Sequence, residues 1–224
     1  MKKEKYNKNF YLFNNFFQSY LKKKREQIYY KINKHVPLKK KFTKLDVGTS
    51  PFLDEVENIF LNKLKGINIT IISNQDCSVL KKKFKKLKII KKNALMIDRK
   101  FKKYEIVHSN ATIEHVGNFK NQIKFIKNLY LISKKYLIIT TPNRYHPFEL
   151  HTKLFFLHWL PQKKYRYILK FFGENFYSKE SNLNLLDENK IIIIMKKLDI
   201  KNYKIKKIKF LGFISNLILI IKKD

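Results

Sequence analysis

Two short polar clusters hold most of the residues that could do chemistry, and each follows an apolar run. One cluster is residues 110–116 and follows residues 105–108; the other is residues 140–144 and follows residues 136–139. Asp46 and Gly48 end a third, earlier apolar run. In an open α/β sheet, ligands bind at the carboxyl ends of the parallel strands. The spacing therefore predicts one nucleotide-type ligand site at a shared edge of a sheet.

The first of these groups, Asp46-Val47-Gly48-Thr49, has a carboxylate at a strand end and then a glycine. A glycine turn lets backbone N–H groups approach a ligand, while the acid holds the ligand's polar groups. An ordinary strand-to-helix turn is the alternative, because one glycine is less specific than a glycine-rich loop.

Histidines after the fifth apolar run are the candidates for a general base. These are His151 and His158, with Glu149 as a partner, and a structural role for each is the alternative. His115 is a further candidate, but the favoured interpretation is that Glu114 and His115 cap or pack the start of a helix.

Arg144 is predicted to bind an anionic acceptor, because it lies just past the fifth apolar run and because arginine, which binds anions in a bidentate manner, is scarce here. Trp159, with Phe155 and Phe156, forms a wall for an apolar acceptor or anchors a lid. Cys77 has no cysteine or histidine nearby in sequence, so no metal or thiol role is expected for it.

The apolar pattern predicts the elements that position these residues. Strands are predicted at 42–47, 67–72, 87–90, 106–108 and 136–140, helices at 53–64 and 123–132, and a pair of strands at 203–211 and 217–222. A lysine-rich helix is also predicted just before the strand at 87–90. A further helix is expected after Asp187, which is a plausible cap. Strands that alternate with helices imply right-handed crossovers and a parallel sheet.

The chain divides into a basic, aromatic helical arm at residues 1–41 and one domain at residues 42–224. Within the domain, residues 142–176 are predicted to form a lid insertion, because they are too long for a plain connection. In the arm, aromatic and apolar residues recur at helical spacing: Phe10, Phe13, Phe16, Phe17, Tyr20 and Leu21. Docking on the domain is the favoured role of this stripe, and binding to an anionic membrane surface is the alternative.

The net charge of +33 comes almost entirely from lysine. Isoleucine, asparagine, phenylalanine and tyrosine are also abundant, which favours a biased genome over a nucleic-acid footprint as the cause. A single cysteine fits a reducing compartment, and neither a signal peptide nor an apolar span of membrane length is expected. We therefore expect a cytoplasmic protein, with peripheral membrane association through the arm as an alternative.

The ordered motifs together resemble class I S-adenosylmethionine-dependent methyltransferases, close to the small-molecule group called methyltransferase type 11. The resemblance covers residues 42–222 and rests on six segments: 45–48, 93–94, 104–110, 113–116, 137–143 and the final hairpin around Gly212. The likeness to the type 11 group rests on Thr-Pro-Asn-Arg at 141–144 and His-Trp-Leu-Pro at 158–161. It implies a Rossmann-like α/β fold, with a seven-stranded, mostly parallel sheet, an antiparallel last strand and helices on both faces. It also implies S-adenosylmethionine as the cofactor and methyl transfer to a small-molecule or lipid-linked acceptor.

The same resemblance assigns residues to the site. The implied cofactor residues are Asp46, Gly48, Thr49, Ser73, Asn74, Asn93, Ala94, Ser109, Asn110 and Ala111. The implied acceptor residues are Glu114, His115, Asn143, Arg144 and Trp159, and no metal is expected.

Two departures weaken the cofactor half of the resemblance. The glycine-rich loop is reduced to residues 48–51, and Ser73 or Asn74 stands where the family has an acid for the ribose. The alternatives are therefore an RNA methyltransferase that uses the lysine-rich surface, and a non-catalytic protein with a degenerate methyltransferase fold.

Overall fold

A seven-stranded sheet forms the centre of the fold in the computed structural model, which describes residues 11–53 and 57–223. The strands lie in the order β3-β2-β1-β4-β5-β9-β8. Their bounds are β1 Lys44–Val47, β2 Ile69–Ser73, β3 Lys88–Lys91, β4 Tyr104–Asn110, β5 Ser133–Pro142, β8 Tyr203–Phe210 and β9 Phe213–Lys222. Neighbours from β3 to β5 pair in parallel, and β9 runs antiparallel to both β5 and β8. The predicted mostly parallel sheet with one antiparallel strand is confirmed.

The central strands are buried because helices cover both faces of the sheet. Every residue of β1 and β2 is buried, which is typical of parallel strands inside an α/β sheet. The register places Asp46 beside His108 and Val47 beside Ser109. The carboxyl ends of β1 and β4 therefore meet at one edge, as the sequence predicted.

Helices α3 (Phe119–Ile132) and α5 (Glu188–Lys197) cover one face of the sheet, in a cluster with Val107 and Leu137. The Asp187 side chain accepts a hydrogen bond from the Lys190 backbone N–H, which confirms the predicted cap of α5.

Helices α1 (Tyr11–His35) and α2 (Ile59–Lys63) cover the other face. Ile28 and Ile32 of α1 pack there with Ile106, Ile138 and Ile218. At least this half of α1 is part of the core. The side chains of Phe10, Phe13, Phe16 and Phe17 lie outside the described part of the chain, so the docking and membrane interpretations of the stripe stay predictions. No helix among the described residues has the length and apolar character that crossing a membrane requires.

Two predicted helices differ from the structure. In the predicted helix at 53–64, α2 covers only Ile59–Lys63, and residues 54–56 are not described. The lysine-rich segment before β3 was predicted to be a helix and forms only a 3-10 turn at Ser78–Lys82. Lysines at neighbouring positions and at i,i+4 spacing repel one another on a helix, which disfavours its extension.

The connection from β5 to α5 carries several small elements. They are a hairpin of β6 (Phe148–Glu149) and β7 (Leu154–Phe155), a 3-10 turn at Leu157–Trp159 and helix α4 (Gln162–Phe171). This segment includes the predicted lid, and its function as a lid stays a prediction.

Candidate active site

A cavity of about 690 Å³ opens at the carboxyl ends of β1, β4 and β5. Its walls come from α1, the turn after β1, α2 and the turn between β6 and β7. Small-molecule sites in proteins typically have volumes of roughly 300–1,000 Å³. The cavity lies at the sheet edge where the sequence predicted a ligand.

A buried aspartate–histidine pair forms the floor of this cavity. His108 Nδ1 donates to Asp46 Oδ1 at 2.7 Å, and Thr49 Oγ1 donates to Asp46 Oδ2 at 3.1 Å. The Phe60 ring stacks on the His108 ring with 4.0 Å between centroids. Both oxygens of Asp46 are held by the protein, so the carboxylate is fixed in place before any ligand arrives.

The turn after β1 is held tightly against the residues that follow β4. Gly48 has φ +86°, and a Cβ at this position would lie 2.0 Å from Thr112 Oγ1. The Gly48 N–H donates to Ile72 O, and the Ser50 N–H donates to Asn58 Oδ1. Gly48 therefore serves close packing at the site, and two N–H groups of this turn are used within the protein rather than left for a ligand.

Helix α1 contributes two cationic side chains to the cavity wall, and the sequence analysis did not assign either of them. Lys24 is only 5% exposed, and burial lowers the pKa of its ammonium from 10.5 to about 8. Its Nζ lies 5.4 Å and 5.0 Å from the ring centroids of Tyr20 and Phe210. Arg25 Nη2 donates to Glu57 at 3.3 Å. Within residues 11–53 and 57–223, Lys24 Nζ and Arg25 Nη1 are buried without a hydrogen-bond partner.

The scarcity of arginine in the sequence could have pointed to Arg25 as a site residue. Scarcity was one of two reasons for selecting Arg144, and it applies to Arg25 as well; the other, a place just past the fifth strand, does not. Nothing in the sequence alone shows that α1 crosses the carboxyl edge of the sheet.

Glu149 holds together the turn of the β6–β7 hairpin at the opposite wall. Its Oε1 accepts from the backbone N–H of His151 at 3.0 Å and from His151 Nδ1 at 2.6 Å. Its Oε2 accepts from the backbone N–H and the hydroxyl of Thr152, both at 2.7 Å. Burial alone would raise the pKa of Glu149, but these hydrogen bonds and the charge of His151 lower it to about 2. Burial likewise would lower the pKa of His151, and the hydrogen bond and charge of Glu149 raise it overall.

This arrangement predicts an acid-sensitive hairpin. Because the folded pKa of Glu149 is below its unfolded value of 4.5, its stabilisation is present above pH 4.5 and is lost as the pH falls toward 2. We expect a loss of roughly 3 kcal/mol in the free energy of unfolding across this window. Urea titrations at several pH values measure it, and Glu149→Gln is expected to flatten this part of the profile. An unchanged slope in the variant would contradict the assignment.

The structure divides the residues assigned to the cofactor into two groups. Asp46, Gly48, Thr49, Asn110 and Ala111 line the cavity. The lining does not include Ser73, Asn74, Asn93, Ala94 or Ser109.

Each residue of the second group has its own surroundings. Ser73 is buried and its Oγ accepts from the Gln75 N–H, while Asn74 is exposed. Asn93 caps the short 3-10 turn that begins at Ala94. Ser109 Oγ donates to Val47 O and so joins β4 to β1. Their roles toward a cofactor stay predictions.

The residues assigned to catalysis and to the acceptor also separate. His115 and His151 line the cavity, and buried Glu114 lies beside them. His158 Nε2 donates to His146 O at 2.6 Å, and His158 does not line this cavity. Arg144 donates to the carbonyl groups of His158 and Leu160.

Two further acceptor candidates also contact the protein itself. Asn143 Nδ2 donates to Ile214 O, and the Trp159 ring packs edge-on against Phe156 with 5.0 Å between centroids. The Asn143 contact joins the start of the insertion to β9, and the Trp159 contact joins two residues within the insertion. Any contact with an acceptor stays a prediction.

Solved structures of methyltransferases share this fold at low sequence identity. A SAM-dependent methyltransferase from Archaeoglobus fulgidus is 17% identical, with a TM-score of 0.55 over 94% of this chain and 99% of that chain. A SAM-dependent methyltransferase from Aquifex aeolicus is 15% identical, with a TM-score of 0.52 over 85% of this chain and 87% of that chain. The 1,6-didemethyltoxoflavin-N1-methyltransferase of Burkholderia thailandensis, solved with that compound and S-adenosylhomocysteine, is 8% identical, with a TM-score of 0.53 over 81% and 71%. No protein-family model and no curated protein matches the sequence. At these identities the likeness shows the class I methyltransferase fold.

Proposed function

We propose that this chain is an S-adenosylmethionine-dependent methyltransferase, a transferase that acts on a small-molecule or lipid-linked acceptor. One observation carries the proposal: the cavity at the ends of β1 and β4 has a cationic wall in which two buried N–H donor atoms, Lys24 Nζ and Arg25 Nη1, have no hydrogen-bond partner among the described residues. Arg25 is paired with Glu57 through Nη2, whereas Lys24 is a buried ammonium, and an anionic ligand group would offset the cost of burying it. The cofactor carries such a group, the carboxylate of its methionine half.

The residues present fit the methionine half of this cofactor better than its adenosine half. Lys24 and Arg25 would bind the carboxylate, and Asp46 is fixed at the cavity floor for the ammonium group. The ribose would depend on Ser73 or Asn74, which are neutral, and hydrogen bonds to neutral groups are weaker than those to a carboxylate. We therefore expect modest cofactor affinity.

The bound cofactor would supply an electrophilic methyl group on its sulfonium. The protein would then contribute positioning and exclusion of water. Of the two histidines predicted as general bases, His151 lines the cavity, and its Nδ1 is held by Glu149, so Nε2 would receive a proton from an acceptor. The Burkholderia neighbour, which methylates a small molecule, supports a small acceptor by analogy of fold only.

The proposal predicts that the wild-type chain binds S-adenosylhomocysteine and S-adenosylmethionine. Isothermal titration calorimetry measures both, and we expect one site per chain, in the cavity at the ends of β1 and β4. If neither ligand binds, the non-catalytic alternative replaces this proposal.

A methyl-transfer assay distinguishes the remaining alternatives. Labelled S-adenosylmethionine is incubated with the protein and with small-molecule, lipid or RNA fractions. Label transfer to small molecules or lipids supports the proposal. Transfer to RNA alone, with RNA binding that weakens steeply with salt, favours the RNA methyltransferase.

A further inference from the structure

Glu114, His115 and His151 come together at the cavity from two separate turns. Glu114 and His115 belong to the 3-10 turn Ile113–His115 after β4, and His151 lies between β6 and β7. Their candidate ligand atoms all lie within 4.8 Å of one another. The two imidazole rings meet edge to face with 4.8 Å between centroids.

Each imidazole ring is oriented by a partner on its Nδ1. The carbonyl oxygen of Asn182 lies 2.7 Å from His115 Nδ1, and a carbonyl only accepts, so this nitrogen carries the hydrogen. His151 Nδ1 donates to Glu149 Oε1 at 2.6 Å. In a neutral ring, Nε2 then keeps its lone pair. A carbonyl or carboxylate on the second ring nitrogen is the usual outer support of a metal-binding histidine.

Glu114 provides an independent observation. Its side chain is fully buried, and its Oε2 accepts from Thr141 Oγ1 at 3.1 Å. Its Oε1 is buried, and no donor among the described residues reaches it. A buried carboxylate oxygen without a partner is costly, and a cation beside it would remove that cost.

We propose that Glu114, His115 and His151 bind one divalent first-row transition-metal ion, such as Zn²⁺ or Co²⁺. Two imidazoles with one carboxylate favour these ions over Mg²⁺ and Ca²⁺, which prefer oxygen ligands. Neighbouring ligands of such an ion lie about 3–3.5 Å apart, so binding draws the most distant of the three atoms together by up to roughly 1.5 Å. His115 is exposed and has room for this movement.

This site differs from what the sequence predicted in two respects. No metal was expected, and His151 was a candidate base, whereas here its Nε2 is a ligand. Three protein ligands leave coordination positions open, as in catalytic rather than structural sites. Because His115 and His151 line the cavity, the ion would contact a ligand that occupies the cavity.

Metal titration of the full chain tests the site directly. The protein is dialysed against a chelator and then titrated with Zn²⁺ by calorimetry and with Co²⁺ by visible absorption. We expect one ion per chain and Co²⁺ absorption bands from nitrogen and oxygen ligands. His115→Gln, His151→Gln and Glu114→Gln are each expected to weaken binding by about tenfold or more.

His35→Gln is the matched control. His35 Nδ1 contacts the Lys31 carbonyl oxygen at 2.8 Å on α1, so it is another carbonyl-supported imidazole, and its loss should leave affinity unchanged. Wild-type affinity in His115→Gln, or an equal loss in His35→Gln, would overturn the site. His115 is exposed, so its variant should fold even if Glu114→Gln does not, and circular dichroism checks this. Titration with S-adenosylhomocysteine in the presence of the chelator tests the proposed methyltransferase separately.

Discussion

Gly48→Ala is expected to lower the free energy of unfolding by roughly 2–5 kcal/mol. The left-handed conformation costs an alanine about 1–2 kcal/mol, and overpacking adds about 1–3 kcal/mol. The new Cβ would lie 2.0 Å from Thr112 Oγ1, so the turn or the residues after β4 must move. Because this turn borders the cavity, S-adenosylhomocysteine binding should be lost with it. Urea denaturation and calorimetry measure the two effects.

Gly173→Ala and Gly212→Ala are the controls for Gly48. Both glycines have φ near +80°, at +80° and +82°, and a Cβ at either would meet nothing within 4 Å. Each should show only the conformational cost of about 1–2 kcal/mol and should keep ligand binding. If Gly48→Ala costs no more than these two variants, close packing against Thr112 is not what requires the glycine.

Lys24→Met is expected to stabilise the protein while it weakens cofactor binding. Burial lowers the Lys24 pKa from 10.5 to about 8, so the charged form disfavours folding at neutral pH. Removing that charge removes the penalty of burying it but also removes the contacts of the ammonium with the Tyr20 and Phe210 rings. The net effect should be a rise of roughly 2 kcal/mol in the free energy of unfolding. Loss of a charged hydrogen bond to the cofactor carboxylate should weaken S-adenosylhomocysteine binding by about 10–100-fold.

The pH dependence of stability gives Lys24 a second, independent readout. Between pH 8 and pH 10.5 the unfolded chain binds more protons at this residue than the folded chain, so stability rises with pH there. Below pH 8 the penalty is complete and constant. This rise should be absent in Lys24→Met and present in Lys23→Met, which removes an exposed lysine one residue away. Equal profiles in the two variants would contradict the assigned burial effect.

The central strands could be predicted from the sequence because each contains a short apolar run. Residues 71–72 and 106–107 are consecutive apolar residues, so a strand covered on both sides is the simplest solution there. Helices were predicted less reliably where lysines are crowded, because their repulsion disfavours a helix. The segment before β3 forms only a 3-10 turn at Ser78–Lys82. The β6–β7 hairpin has two residues per strand, which is too short for any period to show.

The candidate site could be predicted only where its residues follow a strand. Asp46 and Asn110 were found this way, and both line the cavity. Lys24 and Arg25 belong to α1, which comes before all the strands in the chain. Whether they reach the cavity depends on how α1 crosses the sheet. The Asp46–His108 pair depends on strand register, which the sequence did not specify.

The position of β9 between β5 and β8 affects the order in which the sheet can form during translation. The other six strands of this sheet all precede β9 along the chain, and β9 pairs with both β5 and β8. During synthesis, β5 and β8 therefore leave the ribosome before the strand that joins them, and their edges stay open until residues 213–222 emerge. Asn216 of β9 and Arg25 of α1 both line the cavity, so the binding site is completed only late in translation. Open strand edges invite aggregation, so a chain stalled before residue 213 should depend on chaperones more than the finished protein does.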